Sequence, residues 1–135
     1  MHEHTYDYAV IRVVPRVDRE EFVNVGVVVS CPSQDFLEAR VELDASRIAA
    51  IDPALDIEVI RGHLAAIERI CRGGADAGPI GGLSPRERFR WMTAPRSTVI
   101  QFSAAHTGRC DHPDALLEHL MARMVRVARP EPPAE

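Results

Sequence analysis

The chain has 135 residues, 46 % of them hydrophobic and 27 % charged, with a formal net charge of −4. That length favours one domain that folds without a disulfide or a structural metal, and the composition excludes wholesale disorder. The negative balance argues against a sequence-independent nucleic-acid binder, and all sixteen basic residues are Arg, which excludes lysine Schiff bases and a phosphate-gripping P-loop lysine.

In chain order, Tyr6 to Val14 is rich in aromatic and β-branched residues and stops at Pro15, so it reads as a strand. Both of its faces are apolar apart from Arg12, which predicts a central position in the sheet. Phe22 to Ser30 reads as a second strand. Its alternation predicts Val23, Val25, Val27 and Val29 on one buried face, with Asn24 and Gly26 opposite. A glycine in a strand centre often marks a bulge or the close approach of another backbone. Phe36 to Asp44 alternates Leu37, Ala39, Val41 and Leu43 with Glu38, Arg40 and Glu42, a strand with one wet face.

The pattern then becomes helical. Ser46 to Ile51 reads as one short turn. Asp56 caps a longer helix in which Ile57, Ile60, Leu64, Ile67 and Cys71 follow helical spacing, ended by Gly73-Gly74. After the Gly-rich loop Ala75 to Leu83, the run Ser84-Pro85-Arg86-Glu87 starts another helix, with a Ser cap, Pro in the first turn and Glu three residues after the cap. Ser97 to Ser103 reads as a fourth strand, followed by a loop holding His106, Gly108 and Cys110. Pro113 opens a last helix that buries Leu116, Leu117, Leu120, Met121 and Met124. The expectation is an α+β domain over 1–129, with a mainly antiparallel four-stranded sheet and helices packed on one face, then a disordered Pro-rich tail over 130–135.

No stretch approaches the ~20 apolar residues that span a bilayer, and the N-terminus does not open a signal peptide, so the expected compartment is the cytoplasm, without a membrane partner. Cys31, Cys71 and Cys110 are odd in number, far apart and form no C-x-x-C pair, so they read as free thiols there. Charge is uneven: 1–83 carries net −6, 84–129 net +4 and the last six residues −2.

His106, Cys110 and His112 form the densest group of reactive side chains. They could ligate zinc, but their spacing matches no zinc motif, and neither a metal nor a cofactor is expected. A Cys110–His106 nucleophile pair is the enzymatic reading, and a polar loop with a small buried Cys the simpler one. Arg96-Ser97, just after the helix with Arg86, Arg88 and Arg90, reads as an anion site or as an Arg that bonds backbone carbonyls. The glycines of the 73–82 region follow a helix rather than a strand, so they do not form a nucleotide cradle. Asp18, Glu20 and Glu21 read as a solvated turn.

The segments Tyr6 to Pro15 and Arg19 to Val27 resemble the opening of a bacterial family catalogued as domain of unknown function 3037. Arg88-Phe89-Arg90-Trp91, Ala94 to Gln101 and His106 to Pro113 are similar to it as well. The resemblance implies no established activity. It implies an accessory role beside a kinase-like protein, and hence a protein partner. A homo-oligomer is compatible with the same pattern.

Two function classes follow. One is a non-enzymatic interaction module. The other is a small enzyme or ligand sensor that holds an anionic small molecule. In either case Asn24, Arg96, Ser97, His106 and Cys110 are the candidate anion or partner site, expected to converge on one surface.

Overall fold

The computed structural model describes residues 3–96 and 98–127. Strand β1 (His4–Arg16) pairs antiparallel with β2 (Glu21–Cys31), which pairs antiparallel with β3 (Phe36–Val41). The other edge of β1 carries two short strands end to end. β4 (Ile100–Phe102) pairs with Ile11 to Val13, and β5 (His106–Cys110) pairs with His4 to Tyr8. The α+β class and the antiparallel sheet agree with expectation, and the sheet has five strands rather than four.

The extra strand is the expected loop after Ser103. His106, Thr107, Gly108, Arg109 and Cys110 have little apolar alternation, so nothing local marks them as a strand. Pairing with the long β1 makes them one. Between β4 and β5 the chain has one residue more than β1 opposite it, so it bulges at Ser103 to Ala105. Ser103 holds the bulge twice: its N–H donates to Val10 O at 2.9 Å, and its hydroxyl oxygen accepts from Val10 N–H at 2.8 Å. Ser103→Ala leaves a buried N–H without a partner and is expected to cost about 1–2 kcal/mol, read as a lower denaturant midpoint with an unchanged slope.

Helices α1 (Ala45–Ile51), α2 (Ile57–Arg72) and α3 (Pro85–Thr93) cover one face of the sheet, here the front. Each starts on its sequence-legible cap: Asp44, Asp56 and Ser84 accept from the first-turn N–H groups. Asp44 therefore belongs to α1, and the third strand ends at Val41, not Asp44. Ile48, Ile60, Leu64, Ile67, Phe89 and Met92 pack with Ala9, Ile11 and Val13 in the front core. Helix α4 (Pro113–Met124) lies on the back face, where Leu117, Leu120 and Met121 pack with Val27 and Val29. Helices thus cover both faces, not one, because the β2 valines divide between two cores.

That division has a local cause. Ile11 pairs with Gly26 and Arg12 with Asn24, so Val25 is an extra residue in β2 and the alternation changes phase there. Val23, Val25 and Val28 face the front core, and Val27 and Val29 the back. The expectation of all four valines on one buried face is therefore corrected: Val23 and Val25 join the front core with Leu64 and Ile67, and Val27 and Val29 the back core. Gly26 marks the bulge, and a Cβ there would lie 2.5 Å from the Arg40 carbonyl oxygen of β3.

The expected Pro-rich tail at 130–135 lies outside the described residues. Among those described, no helix is long and apolar enough to cross a membrane.

Candidate functional site

Helix α2 turns its apolar stripe to the core and leaves His63, Ala66 and Ile70 along one flank. Helix α3 ends beside it at Trp91 and Met92, and Ala94-Pro95 stops the helix there. The chain then doubles back. Arg96 Nη2 donates to Trp91 O at 2.8 Å, and the guanidinium lies 4.4 Å from the centre of the Trp91 ring. Thr98 turns the chain into β4, its hydroxyl donating to Ile100 O at 2.6 Å while Gln101 Nε2 donates to Thr98 O at 2.9 Å.

These three elements enclose a cleft of about 570 Å3 at the edge of the front face. Its walls are Ile67, Ile70, Met92, Val99, Ile100 and Phe102, and Trp91 stands at its mouth, 40 % exposed. His63 and Arg96 are the titratable residues of its lining. A concave, mostly apolar site with a few placed polar groups is what a ligand or an anchoring side chain needs. A second hollow, of about 740 Å3, lies by the C-terminal end of α4, but its cations are committed. Arg126 pairs with Glu42 and Glu118, and Arg47 Nη1 donates to Val125 O at 3.2 Å.

The sequence-nominated residues separate. Arg96 lines the front cleft. Asn24 points to the back, where its Nδ2 donates to Met124 O at 3.0 Å and closes the end of α4. His106 stands opposite Tyr8 on the back face, the two ring centres 5.2 Å apart. The physical reason is the sheet. Arg96 precedes the strand that pairs with Val13, whereas β5 runs on past Tyr8 towards the other end of β1. The chain after Ser103 continues straight along β1 and does not fold back, so the three side chains line no common pocket. Ser97 lies outside the described residues.

His106 and Cys110 are four residues apart on one strand, a separation of ~13 Å, too far for a nucleophile–base pair. Among the described residues no group of three or more His, Cys, Asp or Glu side chains could hold a metal ion. Instead of activating it, the surroundings push the Cys110 thiol up from its ordinary value, first by burial and then by the neighbouring Cys31. Cys71, packed against the front core, is pushed up by burial to about 12, the Arg88 charge opposing this in part. Half-buried Cys110 is therefore expected to react first with a thiol reagent on the native protein, and Cys31 and Cys71 only after unfolding. Because the Cys71 thiol ionises near 9.0 when unfolded, its contribution to stability is complete below that pH and is lost as pH rises towards about 12. A pH series of melting curves reads this directly.

Of the three Arg on α3, Arg86 pairs with Asp7 of β1. Arg88 is 7 % exposed and donates to Leu83 O, Ile70 O and Cys71 O. Arg96 bonds one backbone carbonyl, Trp91 O, in line with the second role weighed for it, and Arg88 bonds three. Trp91, at the mouth of the cleft, enters the sequence reading only within the family-like segment Arg88 to Trp91.

The family described as "Protein of unknown function (DUF3037)" matches residues 8–125, from the middle of β1 to just past α4. The chain belongs to DUF3037. All five nominated residues and Trp91 fall within the DUF3037 match. No curated protein and no solved structure matches the chain.

Proposed function

We propose that this DUF3037 chain is a non-enzymatic interaction module that receives a partner protein in the cleft between α2, α3 and β4. The observation that carries this reading is the cleft itself: apolar walls, a half-exposed Trp91 and a guanidinium held against that ring. Buried aromatic and Arg anchors dominate protein interfaces, and Trp is the residue most enriched in them. The family resemblance makes a kinase-like protein the first partner to test.

A small anionic ligand is the second reading, favoured by the cleft volume of about 570 Å3 and by the Arg96 donors not used on Trp91 O. It would make the protein a sensor, with Arg96 and the apolar walls as its site and without His106 or Cys110.

The test is capture from the native host with the wild type, Trp91→Ala and the back-face control His119→Ala, each first checked for an unchanged melting curve. A stoichiometric kinase-like protein that is held by the wild type and His119→Ala, and at least about tenfold less by Trp91→Ala, supports the reading. Equal retention by Trp91→Ala moves the interface elsewhere. No protein partner, with a small anion eluting from the wild type alone, establishes the sensor.

A further inference from the structure

We infer that the occupant of the cleft is an extended peptide segment that adds a strand to the outer edge of β4 and presents a carboxylate to Arg96; this rests on the reading of the cleft as the partner site. β4 ends the β3-β2-β1-β4 path, and among the described residues nothing pairs with its outer side. In an antiparallel ladder successive residues turn their N–H and C=O groups alternately to the two sides. Val99 O accepts from Val14 N–H, Gln101 is the partner of Arg12, and Ser103 N–H donates to Val10 O. Ile100 and Phe102 therefore turn their backbone groups outward. The Thr98 hydroxyl occupies one lone pair of Ile100 O and leaves the other free.

The side chains fit the same occupant. Ile100 and Phe102 pair with Val13 and Ile11 and share their front face. Residues of an added strand lying beside Ile100 and Phe102 would face the front too, directly between β4 and the flank formed by Ala66, Ile70 and Trp91. Every second residue of the peptide would then enter an apolar cleft, which is how strand addition combines backbone affinity with side-chain choice.

The two sheet edges differ in a way that supports this. Native edges are usually guarded by charge or Pro. The opposite edge, β3, carries Glu38 and Arg40, whereas Ile100-Gln101-Phe102 carries neither a charge nor a proline. Charge complementarity supplies the last feature. Among the described residues the cleft lining contains His63 and Arg96 and no carboxylate, and Arg96 spends one of its five N–H donors on Trp91 O. A guanidinium fixed on an aromatic ring is suited to grip a carboxylate at one end of the strand.

The experiment pans a phage-displayed random dodecapeptide library on the full chain and on Trp91→Ala. The expected selection has apolar residues at alternate positions with Asp or Glu near one end. A synthetic peptide made from it should slow hydrogen exchange of the Ile100 and Phe102 amides at least about tenfold. Arg96→Met should bind it about tenfold more weakly, and replacing the peptide's acid with its amide should remove that difference. Peptides that depend on Trp91 but carry helical spacing, or leave both amides unprotected, overturn the strand mode while the cleft remains the binding site. No enrichment, or equal binding to Trp91→Ala, overturns the strand mode and the cleft reading together.

Discussion

Val25→Asp is expected to unfold the domain at 25 °C. Val25 is fully buried and packs in the core that holds Leu64 and Ile67 of α2. The side chains clustered with it are apolar and offer a new carboxylate no ion pair. An unpaired buried charge costs several kcal/mol, a large share of the roughly 5–15 kcal/mol that holds a domain together. The bulge raises the cost, since Val25 is the residue inserted between the pairs Gly26–Ile11 and Asn24–Arg12. Far-ultraviolet circular dichroism should lose its folded signal, whereas Val59→Asp, at a 52 % exposed position on α2, should stay within about 0.5 kcal/mol of the wild type. A soluble Val25→Asp protein with the wild-type melting curve would mean that Val25 does not face the core.

Arg88→Met should cost about 3 kcal/mol and lower the melting temperature by roughly 10 °C. The guanidinium donates to Ile70 O at 2.6 Å, Cys71 O at 2.7 Å and Leu83 O at 3.1 Å. Two of those oxygens are carbonyls of the last turn of α2, which have no partner within the helix. A methionine keeps the unbranched apolar stem, ends short of the guanidinium and restores none of the bonds. Arg88→Lys should recover part of the loss, because an ammonium can reach one or two oxygens but lacks the planar fork. The backbone next to it is shaped for this group: Gly73 has φ 73°, and a Cβ there would lie 2.7 Å from Arg88 Nη1. Gly73→Ala should therefore destabilise as well. Hydrogen exchange at the end of α2 should accelerate in Arg88→Met before exchange in β1 and β2 does. Uniform acceleration would make Arg88 a general contributor to stability rather than the lock on that helix end.

Much of the fold can be read locally. Asp44, Asp56 and Ser84 cap helices because a short polar side chain followed by helical apolar spacing is a signal contained in four or five residues. The stripe of Ile60, Leu64, Ile67 and Cys71 marks α2 by short-range periodicity, and the β-branched runs mark the first two strands by residue type. Arg88 was legible only as one Arg among three on a helix, since the carbonyls that it serves come from another helix and a loop. Of the cleft, only Arg96 was nominated from the sequence. Ile70, Trp91 and Ile100 come from three different elements and Arg96 from the loop between two of them, and no spacing in the chain relates them.

Capping chemistry and side-chain period act within a few residues, so the helices and the first three strands were legible in the chain before any pairing was known, whereas β5 was not. Tertiary structure decided the rest. One inserted residue at Val25 puts Val23 and Val25 in the front core and Val27 and Val29 in the back core against α4, a phase change that depends on which residues of β1 lie opposite. Pairing with the N-terminal half of β1 turns His106 to Cys110 into a strand and carries His106 to the back face, away from Arg96. A one-residue change of register flips every side chain beyond it, so which face a residue meets is a property of the partner strand and not of the residue's own segment.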